Sequence, residues 1–251
     1  MKDATLFHGD CLEALDGIPD GSVDVVLTDP PYSSGGLYLA DRKRPTREKY
    51  TDTDFSGAAR FPDFGGDNMD QRSFTAFMRA VLLKCRKKTV EGGICAVFID
   101  WRNLPAMTDA LQMAGWLYSG IAVWDKGNSR ATPWRYRNDC EYVVWGINGH
   151  RDAKQEKGVE VYPGCYHVPI VQSRDKHHQT EKPQRLLEAL LKICHKGGTV
   201  LDPFAGSGST GVACMNTGRK FIGVEIGKEY FDIMTERVRD AQNAIREGKG
   251  I

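Results

Sequence analysis

Little in this chain of 251 residues marks it for a membrane, a secretory route or a metal. It has no run of about 18 apolar residues, which argues against a membrane-spanning helix. The N-terminus, Met1-Lys2-Asp3-Ala4-Thr5, leads straight into a short apolar stretch and lacks signal-peptide anatomy, so a cytoplasmic location is expected. The 7 cysteines, at 11, 85, 95, 140, 165, 194 and 214, include no Cys-x-x-Cys pair. Such an odd, unspaced set fits reduced thiols buried as small apolar residues, and argues against a zinc site or a disulfide framework. A dominant charge is missing too: the formal net charge is +1, which by itself announces no nucleic-acid binder. No internal repeat or low-complexity tract is visible.

What remains is an ordinary globular composition, 41% hydrophobic and 27% charged, at a length that suits one α/β domain with insertions. Buried strands are expected at Val23–Thr28, Ile94–Ile99, Ile121–Trp124, Tyr142–Trp145, Thr199–Asp202 and Phe221–Glu225, where β-branched and apolar residues cluster. Helical spacing marks Phe74–Lys87, Pro183–Ile193 and Lys228–Arg246. This alternation predicts a mostly parallel sheet with helices on both faces. Residues 33–72 and 148–180 break the rhythm, and long connections of that kind are usually functional or disordered.

Two basic stretches stand out. One holds Arg42, Lys43 and Arg44; the other runs from Lys126 through Arg130 and Arg135 to Arg137, interleaved with Trp134 and Tyr136. Arginine among aromatics suits phosphates and unstacked bases, but either stretch also reads as a solvated face.

Asp202-Pro203-Phe204-Ala205-Gly206-Ser207-Gly208-Ser209-Thr210-Gly211 follows an apolar strand and leads toward a helix. Its glycines satisfy G-x-G-x-x-G, a weak signal that a nicotinamide enzyme would share. Glu225 ends the next strand, where a carboxylate suits ribose hydroxyls. The residues ahead of the glycines separate these readings. Asp202-Pro203-Phe204 resembles the D-P-F-x-G-S-G-T cofactor signature of DNA amino-methyltransferases, with Ser209 inserted before Thr210.

Along most of its length the chain resembles the β group of those enzymes. Asp29-Pro30-Pro31-Tyr32 stands in place of the catalytic segment and precedes the cofactor segment, which is the order of that group. Gly9-Asp10-Cys11 resembles the segment contacting the cofactor adenine. His178-Gln179-Thr180-Glu181-Lys182-Pro183 resembles the H-x-T-x-K-P segment at the methionine end, and Arg137 to Trp145 the strand near the target base. The resemblance implies a Rossmann-like seven-stranded methyltransferase sheet in circularly permuted order, forming a single domain over 1–251. Recognition insertions are then expected at 33–72 and 146–177.

It also implies S-adenosylmethionine as cofactor, double-stranded DNA as partner, base flipping, and a homodimer or a restriction endonuclease as further partners. The catalytic residues would be Asp29, Pro30 and Tyr32. Cofactor contacts fall to Asp10, Cys11, His178, Thr180, Lys182, Asp202, Phe204, Gly206, Gly208, Ser209, Thr210 and Glu225. DNA contacts fall to the seven basic residues named above. Blander readings stay open: Asp10 as a helix cap, Lys182 as a solvated charge, His178 as a loop residue, Phe204, Trp101 and Trp124 as core.

The chemistry fits those residue types. An exocyclic base amine is a poor nucleophile because its lone pair is delocalised into the ring. Acceptors at the Asp29 carboxylate and the Pro30 carbonyl would draw its nitrogen toward tetrahedral geometry. Proline holds that carbonyl with a fixed φ and no competing N–H. Tyr32 offers a flat face to a base outside the stack. Asp29 is expected to be ionised at neutral pH. Aspartate at position 29 leans toward adenine N6, since the cytosine-N4 enzymes of the group more often carry serine there. Cytosine N4 is the alternative, and a protein-glutamine or RNA methyltransferase fits less well because those usually begin the motif with asparagine. A non-catalytic binding module sits poorly with intact Asp29, Tyr32 and Glu225. The short span 146–177 suggests relaxed sequence specificity.

Overall fold

The computed structural model describes residues 3–32, 69–127, 133–134, 136–150, 160–170 and 182–247. In chain order the elements are β1 (Ala4–His8), α1 (Cys11–Ala14), β2 (Val23–Thr28), α2 (Gln71–Lys88), β3 (Thr89–Ile99), α3 (Leu104–Met113), β4 (Leu117–Asp125), β5 (Cys140–Ile147) and β6 (Cys165–His167). They are followed by α4 (Gln184–Leu191), β7 (Thr199–Asp202), α5 (Ser209–Asn216), β8 (Lys220–Glu225) and α6 (Lys228–Arg246).

The strands form one sheet in the order β1-β8-β7-β2-β3-β5-β4-β6. Pairing is parallel from β1 through β3, while β5 runs antiparallel to both β3 and β4. The first seven strands in that order are the expected Rossmann-like methyltransferase sheet. The three-residue β6, parallel to β4 at Val123–Asp125, extends it to 8 strands.

Strand alternation divides the core. Cys95, Val97 and Ile99 of β3 pack on one face with Phe74, Met78 and Leu82 of α2 and Met107 of α3. Ile94, Ala96 and Phe98 point to the other face, with Leu186 and Leu187 of α4, Cys214 of α5 and Val238 of α6. Both faces of the parallel region are therefore covered, as such sheets require. Helix α2 begins where Asp70 Oδ1 accepts from the Arg72 and Ser73 amides at 2.9 and 3.0 Å, and ends on Arg86, Lys87 and Lys88. Carboxylate at the start and cations at the end both oppose the helix dipole. The helix thus takes in residues 71–72 of the first expected insertion, and β5 takes in 146–147 of the second.

The chain leaves β7 through α5 to β8 on one side, and leaves β2 through α2 to β3 on the other. A crevice therefore opens past the carboxyl ends of β7 and β2, the usual ligand position in an open α/β sheet. Thr28 Oγ1, at the end of β2, donates to Asp202 Oδ1, at the end of β7, at 2.6 Å and joins the two strand tips.

Candidate active site

Asp29 to Tyr32 emerge from β2 directly beside that crevice. Lys182 Nζ lies 2.5 Å from Asp29 Oδ2 and 3.4 Å from Glu141 Oε2. Glu141, near the start of β5, also accepts from the Tyr32 hydroxyl at 3.1 Å and from Lys126 Nζ at 3.3 Å. The Lys182 ammonium sits 5.2 Å from the ring centres of Tyr32 and Phe98 and 5.9 Å from that of Trp124. Two carboxylates and two ammoniums thus balance in an aromatic enclosure. Asn103 fixes the backbone from the far side, its Nδ2 donating to the Tyr32 carbonyl at 2.7 Å. Asp29 Oδ1 is different: it is buried and has no hydrogen-bond partner among the described residues. Burying a carboxylate oxygen without a donor costs about 1–3 kcal/mol, so an unmet acceptor here points to an incoming donor.

Burial raises the Asp29 pKa above the ordinary carboxylate range, against the pull of Lys182. For Lys182 burial disfavours the charge, but Asp29 and Glu141 outweigh it and raise the pKa. Glu141 is pushed up by burial and pulled further down by Lys182 and Lys126, leaving it below its usual value. The Tyr32 hydroxyl, buried and facing both carboxylates, is held far above its usual pKa and so stays protonated.

The glycine turn divides its work. Gly206 adopts φ +53° with nothing within 4 Å of the place a Cβ would occupy, so it leaves room on the crevice side. At Gly208, φ +83°, a Cβ would lie 2.8 Å from Met234 Cγ, so this glycine serves packing against α6. Glu225 closes the turn: its Oε2 accepts from the Gly206 amide at 2.9 Å and its Oε1 from Gly227 at 2.7 Å. Burial raises its pKa. Asp202, besides Thr28, accepts from the Phe204 amide at 3.1 Å, and burial pushes its carboxyl up to about 6. Phe204 packs against Phe77 with ring centres 6.0 Å apart. Arg237 Nη1 reaches Ser207 O at 2.9 Å and Ser209 Oγ at 3.3 Å, while Thr210 is buried at the start of α5.

Lys182, expected at the methionine end of the cofactor, lies against the Asp29 carboxylate, where two acidic groups converge on it. Lys126, expected on phosphate, turns its ammonium to Glu141 and keeps only 19% of its side chain exposed. Asp10 caps α1, accepting from the Leu12 amide at 2.7 Å, and lies next to Gly9, whose amide donates to the Glu225 carbonyl at 3.0 Å. The Cys11 side chain packs in the core, where burial and then the Asp10 charge raise its pKa to about 12. Trp124 is buried, as expected of a core residue, but Trp101 is not: 47% of it is exposed. Arg137 stays half-exposed beside Asp139 at 3.0 Å, and Trp134 and Tyr136 are fully exposed. Arg42, Lys43, Arg44, Arg130, Arg135, His178 and Thr180 lie outside the described residues, as do 33–68, 151–159 and 171–177 of the insertions. Sequence reasoning gave no role to Glu141 or Asn103. Glu141 lay inside the recognised 137–145 segment, but its partners are 41 and 109 positions away by the numbering of Lys182 and Tyr32.

A family model described as DNA methylase matches residues 23–236. YubD of Escherichia coli (strain K12), a methylase by name, is 29% identical over 243 residues, covering 96% of this chain and 92% of its own. The crystal structure of the M1.HpyAVI complex with S-adenosylmethionine aligns at 22% identity and a TM-score of 0.66, over 94% of this chain and 98% of its own. PvuII DNA methyltransferase, specific for cytosine N4, aligns at 18% identity and a TM-score of 0.67, over 98% of this chain and 93% of its own. With both sequence segments on one crevice and the family model spanning them, the chain belongs to the DNA methylase family of N6 and N4 methyltransferases.

Proposed function

We propose that this DNA methyltransferase transfers a methyl group from S-adenosylmethionine to the N6 amine of adenine in double-stranded DNA. The observation that carries the reading is Asp29 Oδ1, a buried acceptor at the crevice between β2 and β7 that has no donor among the described residues. The residues present fit the cofactor: an open Gly206, the Glu225 carboxylate at the end of β8, and Asp10 beside it. When bound, S-adenosylmethionine supplies an electrophilic sulfonium methyl.

The chain does the rest. Lys182 holds Asp29 Oδ2, which leaves Oδ1 to accept one N–H of the amine, while the Pro30 carbonyl accepts the other. Together they localise the nitrogen lone pair. Glu141 fixes the Tyr32 hydroxyl and, through Lys182, the carboxylate, so the base platform and the acceptor keep one mutual geometry. Once methylated, the amine must lose a proton, and the raised pKa of Asp29 suits it to take that proton. Residues 33–72 and 146–177 are the proposed readers of DNA sequence, and Arg137 a proposed phosphate contact.

Adenine is favoured by Asp29 itself, because serine is more usual there in the cytosine-N4 enzymes. Mass spectrometry of nucleosides from DNA treated with the enzyme tests this. N6-methyladenine is expected. N4-methylcytosine in its place overturns the adenine assignment, and no methylated base at all overturns the reading as a whole.

A further inference from the structure

We propose that Trp101 is a wedge that enters the DNA stack beside the extruded base, in the space that base has left. This rests on the base-methylation reading above. Its footing is the carboxyl rim of the sheet. Thr28 pairs with Val97 in parallel register, so the residues following Ile99 rise next to Asp29–Tyr32. The turn there is built from both ends. Asp100 is buried, its Oδ1 accepting from the amides of Arg102 and Asn103 at 3.0 and 3.3 Å and its Oδ2 from Arg102 Nη1 at 3.0 Å. Asn103 then ties the turn to the Tyr32 carbonyl at 2.7 Å.

Within this fixed turn Trp101 points outward. It is 47% exposed, whereas Trp116 and Trp124 are buried with their indole N–H groups donating to the carbonyls of Leu82 and Val168. The Arg102 guanidinium stands 5.2 Å from the Trp101 ring centre. An indole face beside a guanidinium matches a base beside its phosphate. Trp101 and Asn103 are two positions apart, a reach of at most about 7 Å, so the ring belongs to the surroundings of the Tyr32 platform. Apolar side chains inserted between base steps hold unstacked duplexes open in other DNA-binding proteins. Here the turn that carries the wedge is tied by Asp100 and Asn103 before DNA arrives, which lowers the entropy lost on binding.

The test compares methyl transfer by wild type, Trp101→Phe and Trp101→Ala on two duplexes containing the target. In one the target is paired; in the other it faces an abasic site, where there is less stack to open. On paired DNA, kcat/KM of Trp101→Ala is expected to fall about thirty-fold, which corresponds to about 2 kcal/mol at 1.4 kcal/mol per factor of ten. Opposite the abasic site the fall is expected to be under about three-fold, and Trp101→Phe is expected to retain most activity on both. Equal losses on the two duplexes, or no loss on paired DNA, overturn the wedge. A wild-type enzyme that methylates neither duplex overturns the base-methylation reading first, and the wedge with it.

Discussion

At the scale of single residues, chemistry is concentrated in a few charges that compensate one another. Lys182 is the hub, since it touches Asp29, Glu141 and the faces of three aromatic rings. Lys182→Met keeps the stem and removes the ammonium. It is expected to lower the rate of methyl transfer by about a hundred-fold, the range found when a preorganised polar group is lost. Cofactor affinity measured by calorimetry should change little, because the ammonium serves the carboxylate. A large loss of affinity with an unchanged rate would return Lys182 to the cofactor pocket.

Asp202 gives a pH prediction. Its carboxyl is raised to about 6 in the fold, above its usual 3.8. Between those values the native state binds more protons than the unfolded chain, so this group makes stability fall as pH rises from about 4 to about 6. Asp202→Asn keeps an oxygen for Thr28 and Phe204 but cannot ionise. Urea denaturation should show a flatter profile across that window and, above it, a gain on the order of 3 kcal/mol. An unchanged profile would contradict the assignment of that slope to Asp202.

At the scale of elements, the glycine turn and the α2 cap carry separate tests. Gly206→Ala adds a methyl into open space in the left-handed region, costing about 1–2 kcal/mol of stability, and should weaken S-adenosylmethionine binding beyond that loss. Gly208→Ala meets Met234 as well and should destabilise the fold more. Thermal melts with and without cofactor separate the two. Asp70→Ala removes the α2 cap and is expected to lower stability by about 1 kcal/mol without altering catalysis.

Legibility in the sequence followed the same scale. The bounds of Val23–Thr28 and Thr199–Asp202 are legible because these are apolar strands ended by chemistry-bearing residues. The long helix Lys228–Arg246 followed from its amphipathic spacing. β6 was not legible: Cys165-Tyr166-His167 has no apolar pattern, and it exists through its pairing with β4. α3, Leu104–Met113, is marked in the sequence only by Pro105 in its first turn. Asp29 and Glu225 stood in recognisable motifs. The Glu141–Lys182–Lys126 arrangement is not legible, since it is assembled from two strand ends and a segment 41 positions beyond Glu141.

At the scale of the molecule, a chain of net charge +1 must attract DNA through local charge. If Arg137 neutralises one phosphate, Arg137→Ala should reduce the slope of log affinity against log salt by about 0.9. An unchanged slope removes it from the interface. Among the described residues no helix is long and apolar enough to cross a membrane, and no group of three metal-binding side chains occurs. The sheet order brings Asp29–Tyr32, after β2, and the glycine turn that follows Asp202, after β7, to adjacent strands, which is how a permuted sequence still builds one crevice.

All of this turns on Asp29 as the acceptor for the target amine. The most direct measurement is transfer of a labelled methyl group to DNA by Asp29→Ala, at a cofactor concentration shown by calorimetry to saturate the variant. Transfer is expected to vanish while cofactor binding survives. Turnover near the wild-type rate would contradict the assignment of Asp29 at the centre of the site.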